Sequence, residues 1–185
     1  MAATIKIYQW NGTTPGTSTD KTSSTIRVAT DDVSYSTGST ANPIPIPASS
    51  SNYSFWCSLR LSCTVAPVTT VNNLKFYTDG ANSSPTGVTW KGQAANVGAA
   101  AGYRQATGTT GTTGTLLNTT NHTGLTGAPA DLFTYTSGSP LSLTGSTAGT
   151  GDFGDFLVFQ IAVPSTVTGT ASITQEVLSF AYDES

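Results

Sequence analysis

Few side chains able to do chemistry are present, and they are scattered. The single histidine, His122, stands in NTTNHTG, the least patterned part of the chain. An imidazole acts as a general base when it is held between a nucleophile and an orienting carboxylate. A Gly/Thr tract offers no such hold, so His122 is expected as an exposed loop residue. No GxSxG elbow presents a serine. Cys57 and Cys63 lie six residues apart on one face of one predicted strand. At about 3.3 Å per residue their separation is roughly 20 Å, beyond the reach of a disulfide. Buried free thiols are expected, with an intermolecular bridge as the alternative. Free thiols suit synthesis in a reducing cytoplasm. A zinc site needs three or four ligands in suitable geometry, which these residues do not supply.

The acids repeat the pattern. Asp31-Asp32, Asp79 with Asn82, and Asp152 with Asp155 form oxygen-rich turns, but none carries the calcium-loop spacing with its terminal Glu. Asp and Asn occur in turns for their local hydrogen bonds alone. Asp152-Phe153-Gly154 spells a kinase triplet without the lysine strand, catalytic loop or glycine-rich loop that would accompany it. Gly108, Gly111 and Gly114 match no phosphate-binding spacing and read as a flexible tract. Glycoside hydrolysis needs paired carboxylates at a set separation, whereas the 10 acids sit mainly in turns and at the C-terminus. No catalytic, cofactor-binding or metal-ligating residue is assigned, and no cofactor is expected. Trp10, Trp56, Trp90, Tyr77 and Tyr103 could build a sugar-stacking platform, but filling the core or lining subunit contacts is the preferred reading.

The elements that must position these residues are strands. In Tyr53–Val65, Phe55, Cys57, Leu59, Leu61, Cys63 and Val65 alternate with Trp56, Ser58, Arg60, Ser62 and Thr64. That two-residue period marks a long central strand with one buried face. Phe153–Pro164 is apolar on both faces: Phe156 and Val158 on one, with Gln160, and Leu157, Phe159, Ile161 and Val163 on the other. A strand covered on both sides, inside a sandwich or at a subunit contact, is expected. Further strands are predicted over Thr4–Trp10, Thr25–Thr30, Val71–Thr78, Gly87–Lys91, Asp131–Thr136, Leu141–Thr144 and Thr170–Asp183, the last with a bulge where its alternation shifts near Val177. Asn11–Ser24 and Asp31–Asn42 read as loops, and Pro43–Pro47 as extended but outside any ladder. From Gly92 to Asp131 the periodicity dissolves, save for weak strands near Ala100–Ala106 and Leu116. Residues 92–131 are expected as an extended loop or arm that projects or wraps a partner. The fold class is all-β: one domain over residues 1–185, an antiparallel two-sheet β-sandwich, jelly-roll-like, with an up-and-down barrel as the alternative.

Composition narrows the partners. Only 9% of the 185 residues are charged, the net charge is −3, and Lys plus Arg total 7. Basic residues do not cluster as nucleic-acid binding requires, so no nucleic acid is expected. No apolar run approaches the roughly eighteen residues of a membrane span, and MAATIKIYQW lacks the pattern of a secretory signal. Threonine, serine and glycine dominate, and they make a neutral, hydroxyl-rich exterior suited to packing against neighbours.

Three stretches carry a resemblance: MAATIKIYQWNGTTPGT, then NPIPIPASSSNYSFWCSLRL with NNLKFYTDGAN, then DFLVFQIAVPSTVTGTASITQEVLSFAYDES. Together they resemble virion structural proteins of tailed bacteriophages, over most of the chain apart from the Gly/Thr middle. The resemblance implies a small β-rich head or tail component, made in the bacterial cytoplasm and assembled on the particle. It implies the major capsid protein or other virion proteins as partners, homo-oligomers, and no catalytic residues. A capsid decoration (cement) protein is the leading expectation. A neck, tail or baseplate subunit, or a small receptor- or glycan-binding module, is the alternative.

Overall fold

The computed structural model describes residues 2–98, 102–168 and 175–185. The strands in chain order are β1 (Thr4–Asn11), β2 (Thr17–Asp20), β3 (Ser51–Tyr53), β4 (Cys57–Val65), β5 (Val71–Tyr77), β6 (Thr89–Ala95), β7 (Gly108–Thr109), β8 (Thr113–Gly114), β9 (Ala130–Asp131), β10 (Leu141–Leu143), β11 (Gly151–Pro164) and β12 (Ser179–Glu184). Leu132–Thr134 make a 3₁₀ turn, capped by Asp131, whose side chain accepts from the Phe133 N–H. Among the described residues there is no α-helix.

The fold is all-β and every named strand pair is antiparallel. Six strands of the larger sheet run in the order β2-β1-β4-β11-β6-β9, and β3 joins them along β11. The smaller sheet is β10-β5-β12, and β7 and β8 form a separate two-stranded ribbon. Side chains from both sheets meet in the main core. Leu59, Leu61, Leu157, Phe159 and Ile161 come from the large sheet, and Val71, Leu74, Phe76 and Leu143 from the small one. This is the two-layer arrangement that alternating patterns favour.

The strand expected over Tyr53–Val65 is two strands. Cys57 faces Phe159, yet Tyr53 faces Ala162, so four steps on one strand span three on the other. The spare residue is taken up at Ser54–Trp56. There the Ile161 N–H donates to Ser54 Oγ at 3.0 Å, and the Phe55 N–H leaves the ladder for Ala29 O at 2.8 Å. A one-residue slip turns side chains to the opposite face of the sheet. Phe55, expected beside Cys57, therefore joins Trp56, Phe156 and Val158 on the outer face.

Other expectations also shift. Thr17–Asp20, read as loop, forms a hairpin strand on β1. Thr25–Thr30, read as a strand, forms none, although Ile26 and Val28 still pack against the main core. Among the described residues of the expected final strand, 175–178 form no strand and 179–183 fall within β12. Its register slips between Ala181 and Asp183 rather than near Val177, opposite the part of β5 where Asn73 takes a left-handed φ of 52°. Residues 170–174 of that expected strand lie outside the described residues.

Within the expected arm, residues 102–126 lie on the outer face of the large sheet, and Ala130–Asp131 join its edge as β9. Tyr103, Ala106 and Leu117 pack on Phe55, Trp56, Ala95, Phe156 and Val158, with Trp10 and Leu125 at the edge. Of the weak strands expected in this tract, none forms over 102–106 or at Leu116, and 99–101 lie outside the described residues. Both faces of β11 are thus covered by the chain itself. Burying one large apolar side chain contributes about 1.5–3 kcal/mol, so this second core is a substantial part of the fold.

Candidate functional site

His122 is not an exposed loop residue, as its surroundings suggested; it is 0% exposed. The Asn118 side chain accepts from the N–H groups of Thr120 and Asn121 at 2.9 and 2.7 Å, which starts a turn. The His122 N–H closes that turn onto Asn118 O at 2.9 Å, and this swings the imidazole inward against Trp56, with ring centroids 5.5 Å apart. Neither ring nitrogen has a hydrogen-bond partner among the described residues. Burial, reinforced by the Arg104 charge, holds the imidazole down to about 4. Among the described residues no serine or carboxylate hydrogen-bonds to it, so the ring has neither the partners nor the access of a general base.

The thiols are equally enclosed. Cys57 and Cys63 are free and buried on the inner face of β4. Burial pushes the Cys57 thiol up to about 12 and also raises that of Cys63, whose Sγ donates to Val65 O. A thiol without thiolate is a poor nucleophile and a poor metal ligand. The acidic turns serve backbone geometry. Asp31 accepts from the Tyr35 hydroxyl and from Asn42 Nδ2, and Asp79 accepts from the Ala81 N–H. Asp155 is 5% exposed and takes the N–H groups of Thr144 and Val97. Among the described residues no group of three His, Cys, Asp or Glu side chains could hold a metal ion.

The aromatics do not share a surface. Trp56 and Tyr103 lie in the outer core, whereas Trp90 stacks on Phe159 in the main core with ring centroids 6.0 Å apart. Among the ties that hold the hydroxyl-rich Gly/Thr tract is one buried amide, Gln160. Its Oε1 accepts from the Leu117 N–H at 2.7 Å, and its Nε2 donates to Ser54 O at 2.7 Å and Thr115 O at 2.8 Å. A polar residue in the middle of the most apolar strand was the sequence signal for this anchor. Gly114 adds a close approach: a Cβ there would stand 2.1 Å from Ser54 O.

The concave surface lies where the three-stranded sheet stops short of the seven-stranded one. A groove of about 730 Å³ is floored by Leu59, Trp90 and Phe159 and walled by Ile26, Val28 and Phe180. Lys21 and Arg27 stand in its wall with Glu176. The Lys21 ammonium is spent on Tyr35 O at 2.5 Å, and the Arg27 guanidinium lies over the Tyr35 ring, 4.8 Å from its centroid. The groove can accept apolar groups, and it holds no acid–base pair. The unexpected non-strand course of Thr25–Thr30 forms this wall.

No protein family, curated protein or solved structure matches the chain.

Proposed function

We propose that this protein is a non-enzymatic structural subunit of a tailed-phage virion, a capsid decoration protein that cements the major capsid shell. One observation carries the reading: the histidine and both thiols are enclosed in packing, while the exterior of this sparsely charged chain is rich in hydroxyls. Such a molecule offers contact rather than reaction. The sequence resemblance supplies the class of particle, and the apolar groove supplies a place for a neighbour's side chains. The subunit would act as a homo-oligomer or on a symmetric shell, where one contact repeats many times. Among the described residues no helix is long and apolar enough to cross a membrane.

A neck, tail or baseplate position remains the alternative placement within the same class. The glycan-binding alternative is less favoured, because Trp56 and Tyr103 are buried in the outer core and Trp90 in the main one, which leaves Trp10 and Tyr77 half-buried. Mass spectrometry and cryo-EM of purified particles test the proposal. Ordered copies on the outer capsid are expected; particles that lack the protein altogether would reject it.

A further inference from the structure

We propose that residues 102–126 form an acid-released cover over the outer core, with protonation of His122 as the trigger that frees it. This device is independent of the virion reading. The imidazole is fully enclosed between the cover and Trp56, and both of its nitrogens lack hydrogen-bond partners among the described residues. A neutral ring can be tolerated there, but a charged ring buried away from solvent is costly, and its own backbone carbonyl, which favours the charge, only partly offsets the burial.

The groups around the ring oppose the charge. From the cover itself Arg104 faces it, a second cation, whose Nη1 donates to Thr123 Oγ1 at 2.9 Å. The turn Asn118–Leu125 carries no other ionisable side chain. The Ser54–Trp56 bridge contributes only the Trp56 ring, which would offset part of the cost through its π face. On β11 the facing residues Phe156, Val158 and Gln160 are uncharged. Asp155 is engaged with Thr144 and Val97, and Asp152 is exposed at the strand's start.

The remaining ties between cover and sheet do not titrate near neutrality. They include Trp56 Nε1 to Arg104 O, the Tyr53 N–H to Thr113 Oγ1, the Thr126 N–H and hydroxyl to Ala94 O, the Asn96 N–H to Gly124 O, and the Gln160 bonds to Leu117 and Thr115. Tyr103 hangs its hydroxyl on Gly12 O, and burial raises that phenol so that it stays neutral. Asp32 binds the Gly12 N–H and is held down in part by Gln105 of the cover, but burial raises it on balance, so its protonation favours the closed form and works against release.

The sign follows from linkage. The closed cover holds His122 down to about 4, while a released histidine titrates at 6.5. The open form therefore binds more protons between these values. Closure is complete above the higher value and weakens about tenfold per pH unit as pH falls through the window. Release exposes Trp56, Phe156 and Val158, a new apolar face available only in acid.

Hydrogen exchange of the full chain, corrected for intrinsic rates, tests this across pH 7 to 4.5. The opening constant of amides in 103–125 should rise by about ten- to a hundredfold, with β1, β4 and β11 still protected. His122→Phe and His122→Gln should abolish the rise, and the wild-type imidazole proton resonances should titrate far below 6.5. An unchanged opening constant, an equal rise in both variants, a normal imidazole midpoint, or loss of the whole sheet in one step would overturn the proposal. If neither variant folds, the wild-type imidazole must still titrate at the pH where the cover opens, and a mismatch would reject it.

Discussion

The two faces of β11 are roofed by opposite means. On the inner face, Leu157, Phe159 and Ile161 meet the small sheet, whose backbone groups are paired in ladders before packing begins. On the outer face, Phe156 and Val158 meet a Gly/Thr tract with two short strands of its own. That backbone cannot satisfy itself, so it borrows partners from the sheet, above all two bonds with Gln160, which also holds Ser54 O. The inner roof is held by area, and the outer roof by a few directional bonds with a smaller apolar contact. Cooperative ladders resist local opening, whereas irregular covers open at lower cost.

Phe159→Ala tests the inner side and should cost most. It leaves a cavity beside Trp90, and a loss of about 3–5 kcal/mol is expected, read as a lower urea midpoint with both roofs losing protection together. Gln160→Leu tests the outer side. It strands the Leu117 N–H and the Ser54 and Thr115 carbonyls, and about 2–4 kcal/mol should be lost, with exchange accelerating first in 103–125. If both substitutions relax both roofs equally, the faces are one cooperative unit and the contrast fails. Asp20→Asn is the control outside both roofs. Lys6 and Thr22 hold the Asp20 carboxylate down to about 2, so its contribution exists above pH 3.8 and fades as pH falls through about 2. Both partners of this pair are more than a third exposed, and exposed pairs contribute little. Thermal melts at pH 7 should coincide with wild type within scatter, and a clear drop would place the β1–β2 hairpin within the cooperative fold.

The all-β class was legible because alternation survives wherever one face is buried. Leu59, Leu61 and Cys63 show it, while the doubly apolar Phe156–Val163 marked a strand covered on both sides. The outer roof was not legible. Its backbone follows sheet contours without a period, and Tyr103, Ala106 and Leu117 are spaced too irregularly to signal a shared face. The placement of His122 hung on a turn set by Asn118, and nothing in NTTNHTG reveals which side of that turn faces the sheet. Thr25–Val28 has a strand's alternation without a strand's partner, since pairing is a tertiary property that local pattern does not encode.

The slip at Ser54–Trp56 has a practical corollary for a mutational scan. Odd-numbered positions point inward from Cys57 onward, but Tyr53 sits opposite the outer-face residue Ala162. Tolerance to charge, plotted along 51–65, should invert its parity within three residues. A scan scored with one parity throughout would mistake the inversion for noise, when it marks the place where the spare residue turns the side chains to the other face of the same sheet.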